Sequence, residues 1–288
     1  MIHPRILYNG HVCSASEKLL CPGQLGLLSG WGVFTTLRVY DGIPFAFARH
    51  WARMSKDAAL MHVPMPEDPA AIERDLYGLI EANSAVNASL RLVIVRNRHG
   101  LWEGPANTRD YDVIALTAGL NQWPHDVKLA LMANARYAAC EFTGAKILSW
   151  AQNLTWNEEA HSRGWDEMLL LNERGEVSEC TSANLFSAYG DEVRTPPLNS
   201  GCLPGVTRDV LLREIHVPGL RVVEQTLFPA DLEKADQVFI TSTTRHLLPV
   251  SSIEGLSMRN QGAACQRLRE AFDAYVREYT ASRRAAVV

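Results

Sequence analysis

The sequence predicts two α+β domains, and three observations carry that prediction. Strand-like and helix-like segments are mixed in both halves of the chain instead of being sorted into one half. The pattern lapses around 119–126 (GLNQWPHD), which places a boundary near residue 120. With 288 residues, the chain can build two ordinary cores. The expected units are 1–120, a small N-terminal domain, and 121–288, a larger C-terminal one.

The elements follow from the pattern in order. Asn9-Gly10 between Arg5–Tyr8 and His11–Cys13 signals a type I′ hairpin. Asp41-Gly42 joins a second pair, Val33–Tyr40 and Ile43–Phe47. From Ala48 to about His62 the spacing becomes helical. Asp68-Pro69 then starts another helix, with Ile72, Leu76, Leu79 and Ile80 on one face. Ser89–Val95 and Asp112–Ala118 read as strands.

Past the boundary, Val127–Ala133 is a strand and Leu148–Arg163 mostly helix. Glu167–Leu171 and Glu176–Glu179 form a hairpin. Ala183–Ala188 and Glu192–Thr195 form another across Gly190-Asp191. Thr207–Ile215 is helical, Arg221–Glu224 a strand, Pro229–Lys234 a short helix and Val238–Thr241 a strand. Gln261–Thr280 is an amphipathic helix with Leu268, Ala271, Phe272 and Tyr275 inward.

Composition narrows the functional classes. The apolar fraction is 47%, the charged fraction 21% and the net charge −4, which argues against a disordered chain, a collagen-like fibre or a coiled coil. Without a basic excess, duplex nucleic acid is not an expected partner. The beginning, MIHPRILYNG, lacks the pattern of a secretory leader, and apolar runs such as 92–95 and 168–171 are too short to span a bilayer. A cytoplasmic protein with no membrane partner is expected. The six cysteines are scattered, with no CxxC pair, so reduced thiols and no metal site are expected.

No GxxxxGK[ST], GxGxxG after a strand, HExxH or GxSxG is present. Other segments carry candidate chemistry. In Leu203-Pro-Gly-Val-Thr-Arg-Asp209 the amides of Val206 and Thr207 would stand at a helix N-terminus, with the Thr207 hydroxyl beside them. That donor set suits a phosphate monoester, although from the residues alone a simple Thr-capped helix start is the plainer reading. Thr241-Ser-Thr-Thr244 puts four hydroxyls at a strand end, either an anion site or a polar turn. Glu179, between two apolar strand segments, is either turned inward, where it needs a partner, or solvated at an edge. Lys146, among Gly144-Ala145 and Ile147-Leu148, has an apolar setting of the kind that lowers an amine's pKa and makes a Schiff-base nucleophile.

Taken in order, VFTTLRVYDG, an arginine in the next helix, the GAK lysine, ECTSANLF, LPGVTRDV and FITSTT resemble one family. The chain resembles the class IV aminotransferases, fold type IV pyridoxal-phosphate enzymes that include branched-chain and D-amino-acid aminotransferases and aminodeoxychorismate lyase. The similarity runs from about Tyr8 to Tyr279. It implies a small α/β domain and a larger, β-barrel-like mixed domain with helices, the latter carrying the cofactor lysine. It implies pyridoxal 5′-phosphate as cofactor, Lys146 as the Schiff-base lysine and proton shuttle, and Glu179 as the acid beside the pyridine nitrogen. Arg53, Val206, Thr207 and Thr243 match phosphate ligands, and Leu203 a residue packed on the ring.

The implied activity is amino transfer between a branched-chain-like amino acid and a 2-oxo acid, by a homodimer. The alternative is the lyase reaction releasing pyruvate and 4-aminobenzoate, in which Thr36 of Phe34-Thr-Thr-Leu-Arg38 matches an assisting threonine. A non-enzymatic binding protein of the same fold is a minor alternative.

The chain departs from the family at Cys-Pro-Gly-Gln-Leu-Gly26, where many members carry an acidic-Arg-Gly stretch, at Phe34, often tyrosine, and at Thr35, often acidic. The Arg-x-His pair of D-amino-acid enzymes is not matched by Arg96-Asn-Arg-His99 and Leu101-Trp-Glu103. Arg38, Arg96, Arg98 and Arg136 are the candidates for binding a substrate carboxylate.

Overall fold

In the first of two contact units, turn chemistry and alternation build an antiparallel sheet. The computed structural model describes residues 1–21, 23–99 and 108–287. Its chain contacts group Met1–Asn121, Lys146–Trp150 and Glu278–Val288 into one unit, and Gln122–Ala145 with Ala151–Arg277 into another.

Strands β1 (Ile2–Tyr8) and β2 (His11–Ser14) are joined by Asn9 and Gly10 at φ 50° and 82°, the positive pair of a type I′ turn. A short helix α1 (Leu25–Ser29), absent from the sequence expectation, ends on Gly30 at φ 62°. β3 (Gly32–Tyr40) turns through Asp41-Gly42 into β4 (Ile43–Pro44). β4 is shorter than the expected 43–47, because Ala46 adopts φ 54° and sends the chain into α2 (Phe47–Leu60). Asp68 caps α3 (Pro69–Ala82) by accepting the Ala70 N–H at 2.9 Å. β5 (Ala88–Arg96) and β6 (Tyr111–Ala118) complete the sheet, ordered β2-β1-β6-β5-β3-β4 with every pair antiparallel.

β3 sets the two faces of this sheet. Val33, Thr35, Leu37 and Val39 are at most 1% exposed; their apolar members share a core with Met54 of α2 and Leu76 and Leu79 of α3. Alternation puts Phe34, Thr36, Arg38 and Tyr40 on the opposite face.

In the second unit the chain runs through β7 (Val127–Arg136), α4 (Ala151–Ser162), β8 (Glu167–Asn172), β9 (Val177–Cys180), β10 (Asn184–Tyr189) and β11 (Glu192–Thr195). A short 3-10 helix (Leu198–Ser200), α5 (Val206–Arg213), β12 (Arg221–Glu224), α6 (Pro229–Leu232), β13 (Gln237–Ser242), β14 (His246–Ile253) and α7 (Ala264–Val287), which groups with the second unit as far as Arg277, follow. The eight-stranded sheet has the order β12-β11-β10-β13-β14-β7-β8-β9. It is mixed: β11 with β12, β14 with β7 and β7 with β8 are parallel.

The sheet must curl, because β9 lies at its edge while a three-residue turn, closed by Cys180 N–H on the Ala183 carbonyl at 2.8 Å, returns the chain to β10. Leu129, Leu169, Leu185, Val238 and Ile240 are fully buried within it. α7 buries Leu268 and Phe272 as its periodicity predicts, together with Cys265 and Val276. Among the described residues no helix is long and apolar enough to cross a membrane. The six cysteines form no disulfide.

The expected helix 148–163 starts later, at Ala151. Residues 146–148 add to the free edge of β3 instead. Val33 bridges Ile147, Phe34 N–H donates to the Lys146 carbonyl at 3.1 Å, and Leu148 N–H donates to the Gly32 carbonyl at 2.9 Å. That pairing is why Lys146–Trp150 groups with the first unit.

Candidate active site

Lys146 is held at both ends of its residue and walled along its side chain. Its carbonyl accepts from Phe34 of β3, and its N–H donates to Oδ2 of Asp57 on α2 at 3.1 Å. Nζ lies 4.6 Å from the centroid of the Phe34 ring and 4.5 Å from that of Trp150. The two rings meet edge to face at 5.5 Å. Two aromatic ring faces therefore wall the amine.

Beneath Phe34, on the core side of β3, lies a second group of polar side chains. Arg53 Nη2 donates to Thr35 Oγ1 at 2.7 Å, and Thr35 Oγ1 is 2.7 Å from His50 Nδ1. Arg53 Nε and His50 Nε2 are buried without a hydrogen-bond partner. Burial pulls the Arg53 pKa down to about 10 against the opposing pull of Asp57. Burial, then the charges of Arg53 and Lys146, hold His50 well below its ordinary value. This cluster is rich in donors and short of acceptors, as an anion-binding group should be.

On the opposite face of β3, Thr36 pairs directly with Arg91 of β5. The Arg91 guanidinium lies 4.8 Å over the Phe34 ring, so this one ring carries both Arg91 and Lys146 Nζ. Sequence reasoning missed Arg91; the signal was an arginine in the middle of a strand whose neighbours Leu90 and Leu92–Val95 are apolar. Arg38 shares the face and lies 5.0 Å over Tyr40.

The other arginines considered for a substrate carboxylate are engaged elsewhere. Arg96 stacks over Trp31 at 4.1 Å and donates to the His62 carbonyl at 2.7 Å. Arg98 pairs with Asp110 at 3.4 Å. Leu101, Trp102 and Glu103 lie outside the described residues. In the departing segment 21–26, Gln24 is buried and donates to Asp112 and to Asn97 Oδ1.

In the second unit Glu179 is 5% exposed, so its side chain points inward. Oε2 accepts the Leu203 N–H at 3.0 Å, and Oε1 pairs with Arg136 at 3.3 Å. Arg136 also donates to Asn153 Oδ1 at 3.2 Å and lies 5.5 Å over Trp156. Arg136 therefore serves Glu179.

Leu203 leads directly into α5. Gly205 is its N-cap, with no side-chain cap, so the first amides, those of Val206 and Thr207 among them, keep the free N–H groups of a helix start. A Cβ on residue 205 would sit 2.0 Å from Asn184 Oδ1, so the asparagine would have to shift. Asn184 Nδ2 donates to the Leu203 carbonyl at 2.8 Å, and Asn184 pairs across the sheet with Thr241, whose Oγ1 is buried without a partner. Asn184 thus holds the start of α5 by its side chain and the end of β13 by its place in the strand ladder.

Thr243 follows in the half-buried turn after β13. That turn is anchored by Arg245, which pairs with buried Glu167 at 3.0 Å, donates to Ser182 at 2.7 Å and lies 4.3 Å over Trp123. The sequence reading did not single out this network.

Of the eight site residues expected from sequence, Lys146, Thr36 and Arg53 fall in the first unit. Glu179, Leu203, Val206, Thr207 and Thr243 fall in the second. The donor sets fit a phosphorylated pyridine. In the first unit, Arg53 with an orphaned Nε suits a phosphate dianion. In the second, the start of α5, which has no side-chain cap, suits one too, while Glu179 is a buried carboxylate of the kind that pairs with a ring N–H.

The fold is that of known transaminases. The solved branched-chain amino acid aminotransferase of Escherichia coli superposes with a TM-score of 0.84 at 26% identity, covering 95% of each chain. A putative branched-chain-amino-acid aminotransferase of Methanocaldococcus jannaschii is 28% identical over 93% of this chain and 95% of its own. D-alanine aminotransferase of Bacillus licheniformis is 28% identical over 87% and 89%. The family model for amino-transferase class IV matches residues 32–253. This chain belongs to the class IV aminotransferases.

Proposed function

We propose that the protein is a pyridoxal 5′-phosphate-dependent aminotransferase that moves an amino group between a branched-chain-like amino acid and a 2-oxo acid. The observation that carries this reading is the seat of Lys146, main chain pinned by Phe34 and Asp57 and Nζ walled by Phe34 and Trp150. Bound pyridoxal phosphate supplies an electron sink for the pair left when the substrate α-proton departs.

Each residue then has a task. Lys146 Nζ anchors the cofactor, takes the α-proton and hands it back. Arg53, the amides of Val206 and Thr207 and the Thr243 hydroxyl hold the phosphate. Glu179 keeps a proton on the ring nitrogen, and Leu203 packs against the ring. Arg91 takes a substrate carboxylate, and the aromatic wall of Phe34 suits an aliphatic side chain. The enzyme works in the cytoplasm as a homodimer.

The test is a purification followed by a substrate panel. The protein should be yellow, and borohydride should fix a pyridoxyl label on Lys146, which Lys146→Ala abolishes. With L-leucine and 2-oxoglutarate it should form glutamate. A colourless protein that takes up no pyridoxal phosphate overturns the reading.

A second reading, aminodeoxychorismate lyase, draws on Thr36, which faces the same side of the sheet as Phe34 and stands opposite Arg91. Release of pyruvate and 4-aminobenzoate with no amino acceptor present, lost in Thr36→Val, would select it.

A further inference from the structure

Thr35 is buried, 1% exposed, and its one hydroxyl touches two other functional side chains. Counting protons fixes the direction of each contact. Arg53 can only donate, so Thr35 Oγ1 accepts from Nη2. Two arrangements remain for His50. If Nδ1–H donates to Thr35, the threonine proton and the Nε2 lone pair are both stranded in a buried site. If Thr35 donates to a bare Nδ1, only the Nε2–H is left over. The second arrangement strands one group instead of two and is favoured on that ground. His50 is then neutral, with its proton on Nε2.

The same hydroxyl leaves Arg53 its full charge. A carboxylate at position 35 would neutralise the guanidinium; a hydroxyl orients it without doing so. Asp57, the acid whose charge reaches Arg53, already spends Oδ2 on the Lys146 N–H. Arg53 Nε and His50 Nε2 are thus two buried donors with nothing to donate to.

We propose that Thr35 is a positioning residue for phosphate capture: it orients Arg53, locks His50 as an Nε2–H donor and leaves both short of an acceptor that the cofactor phosphate provides. The inference deepens the cofactor reading above and rests on it. Thr35 touches no reacting atom; it acts through Arg53 and His50.

The experiment titrates the full-length, cofactor-stripped protein with pyridoxal phosphate and, separately, with pyridoxal, which has no phosphate. Thr35→Val should weaken pyridoxal phosphate about tenfold, the worth of one hydrogen bond to a charged group, and leave pyridoxal unchanged. Thr35→Ser should restore wild-type binding. Nitrogen NMR of the wild-type protein should find His50 protonated at Nε2 alone.

Equal weakening of both ligands marks a merely structural role and overturns the proposal, as does undiminished binding in Thr35→Val. A protonated Nδ1 in the wild type overturns it even if the valine variant does not fold. Wild type that binds neither compound removes the cofactor reading itself, a different failure from wild type that binds both while Thr35→Val matches it.

Discussion

The Asp57 carboxylate accepts the backbone N–H of Lys146 at 3.1 Å, joining α2 to a residue 89 positions further along the chain. The carboxylate is 7% exposed, and burial raises its pKa while the Lys146 N–H pulls it back. Removing this acceptor in Asp57→Ala leaves an amide unpaired, at a cost of about 1–3 kcal/mol. Asp57→Asn keeps an acceptor oxygen and should lose less. Thermal melts give the stability order wild type, Asn, Ala. The fraction of Lys146 that borohydride labels should fall in the same order, and a fully labelled alanine variant would refute the link.

The local part of this arrangement was legible and the non-local part was not. Asn9-Gly10, Asp41-Gly42 and Asp68-Pro69 act within a few residues, and all three do what their chemistry dictates. Leu148–Trp150 read as the start of a helix because nothing local opposes one; the edge of β3, over a hundred residues earlier, captures the segment before it. β14 went unread because Pro249 and Ser251-Ser252 break its strand signature, yet it pairs with both β13 and β7. Glu179 was recognisable as a carboxylate in an apolar run. Its partner Arg136 was on the page only as a candidate for another task, since 43 residues separate them.

That ion pair supports a second prediction. The side chains of Arg136 and Glu179 are 13% and 7% exposed, so removing one charge leaves the other buried and uncompensated. Arg136→Met should destabilise the protein by about 3–5 kcal/mol. Adding Glu179→Gln should recover part of that loss, because the stranded charge is then gone. Urea denaturation of both singles and the double variant gives the coupling. Additive losses would mean that the two groups do not interact.

The start of α5 gives a third prediction. Gly205→Ala forces a Cβ to within 2.0 Å of Asn184 Oδ1, so Asn184 must leave its place. Its bond to the Leu203 carbonyl goes with it. The expected cost is about 1–3 kcal/mol, together with weaker uptake of pyridoxal phosphate. Combining Gly205→Ala with Asn184→Ala should remove the clash but not regain the Leu203 bond, so only the part of the loss due to the clash is recovered. Calorimetry on the two variants separates the contributions, and an alanine variant as stable as wild type would show that the helix start adjusts freely.

His50 makes stability depend on pH in a direction that can be derived. Burial, Arg53 and Lys146 together hold its folded pKa well below the ordinary 6.5. As pH falls through 6.5, the unfolded chain takes up a proton at this site while the folded chain does not. The unfolded state then binds more protons, so stability falls as pH drops, by at most about 1.4 kcal/mol per pH unit for this one group. The loss continues down to the depressed folded value, where His50 finally charges beside Arg53. His50→Gln removes the titrating group, and its stability should fall less steeply between about pH 7 and about pH 5. Urea midpoints across that range compare the two slopes, which matters more than their offset, because glutamine also perturbs packing around Thr35. Parallel slopes would show that His50 titrates as freely in the folded protein as in the unfolded chain.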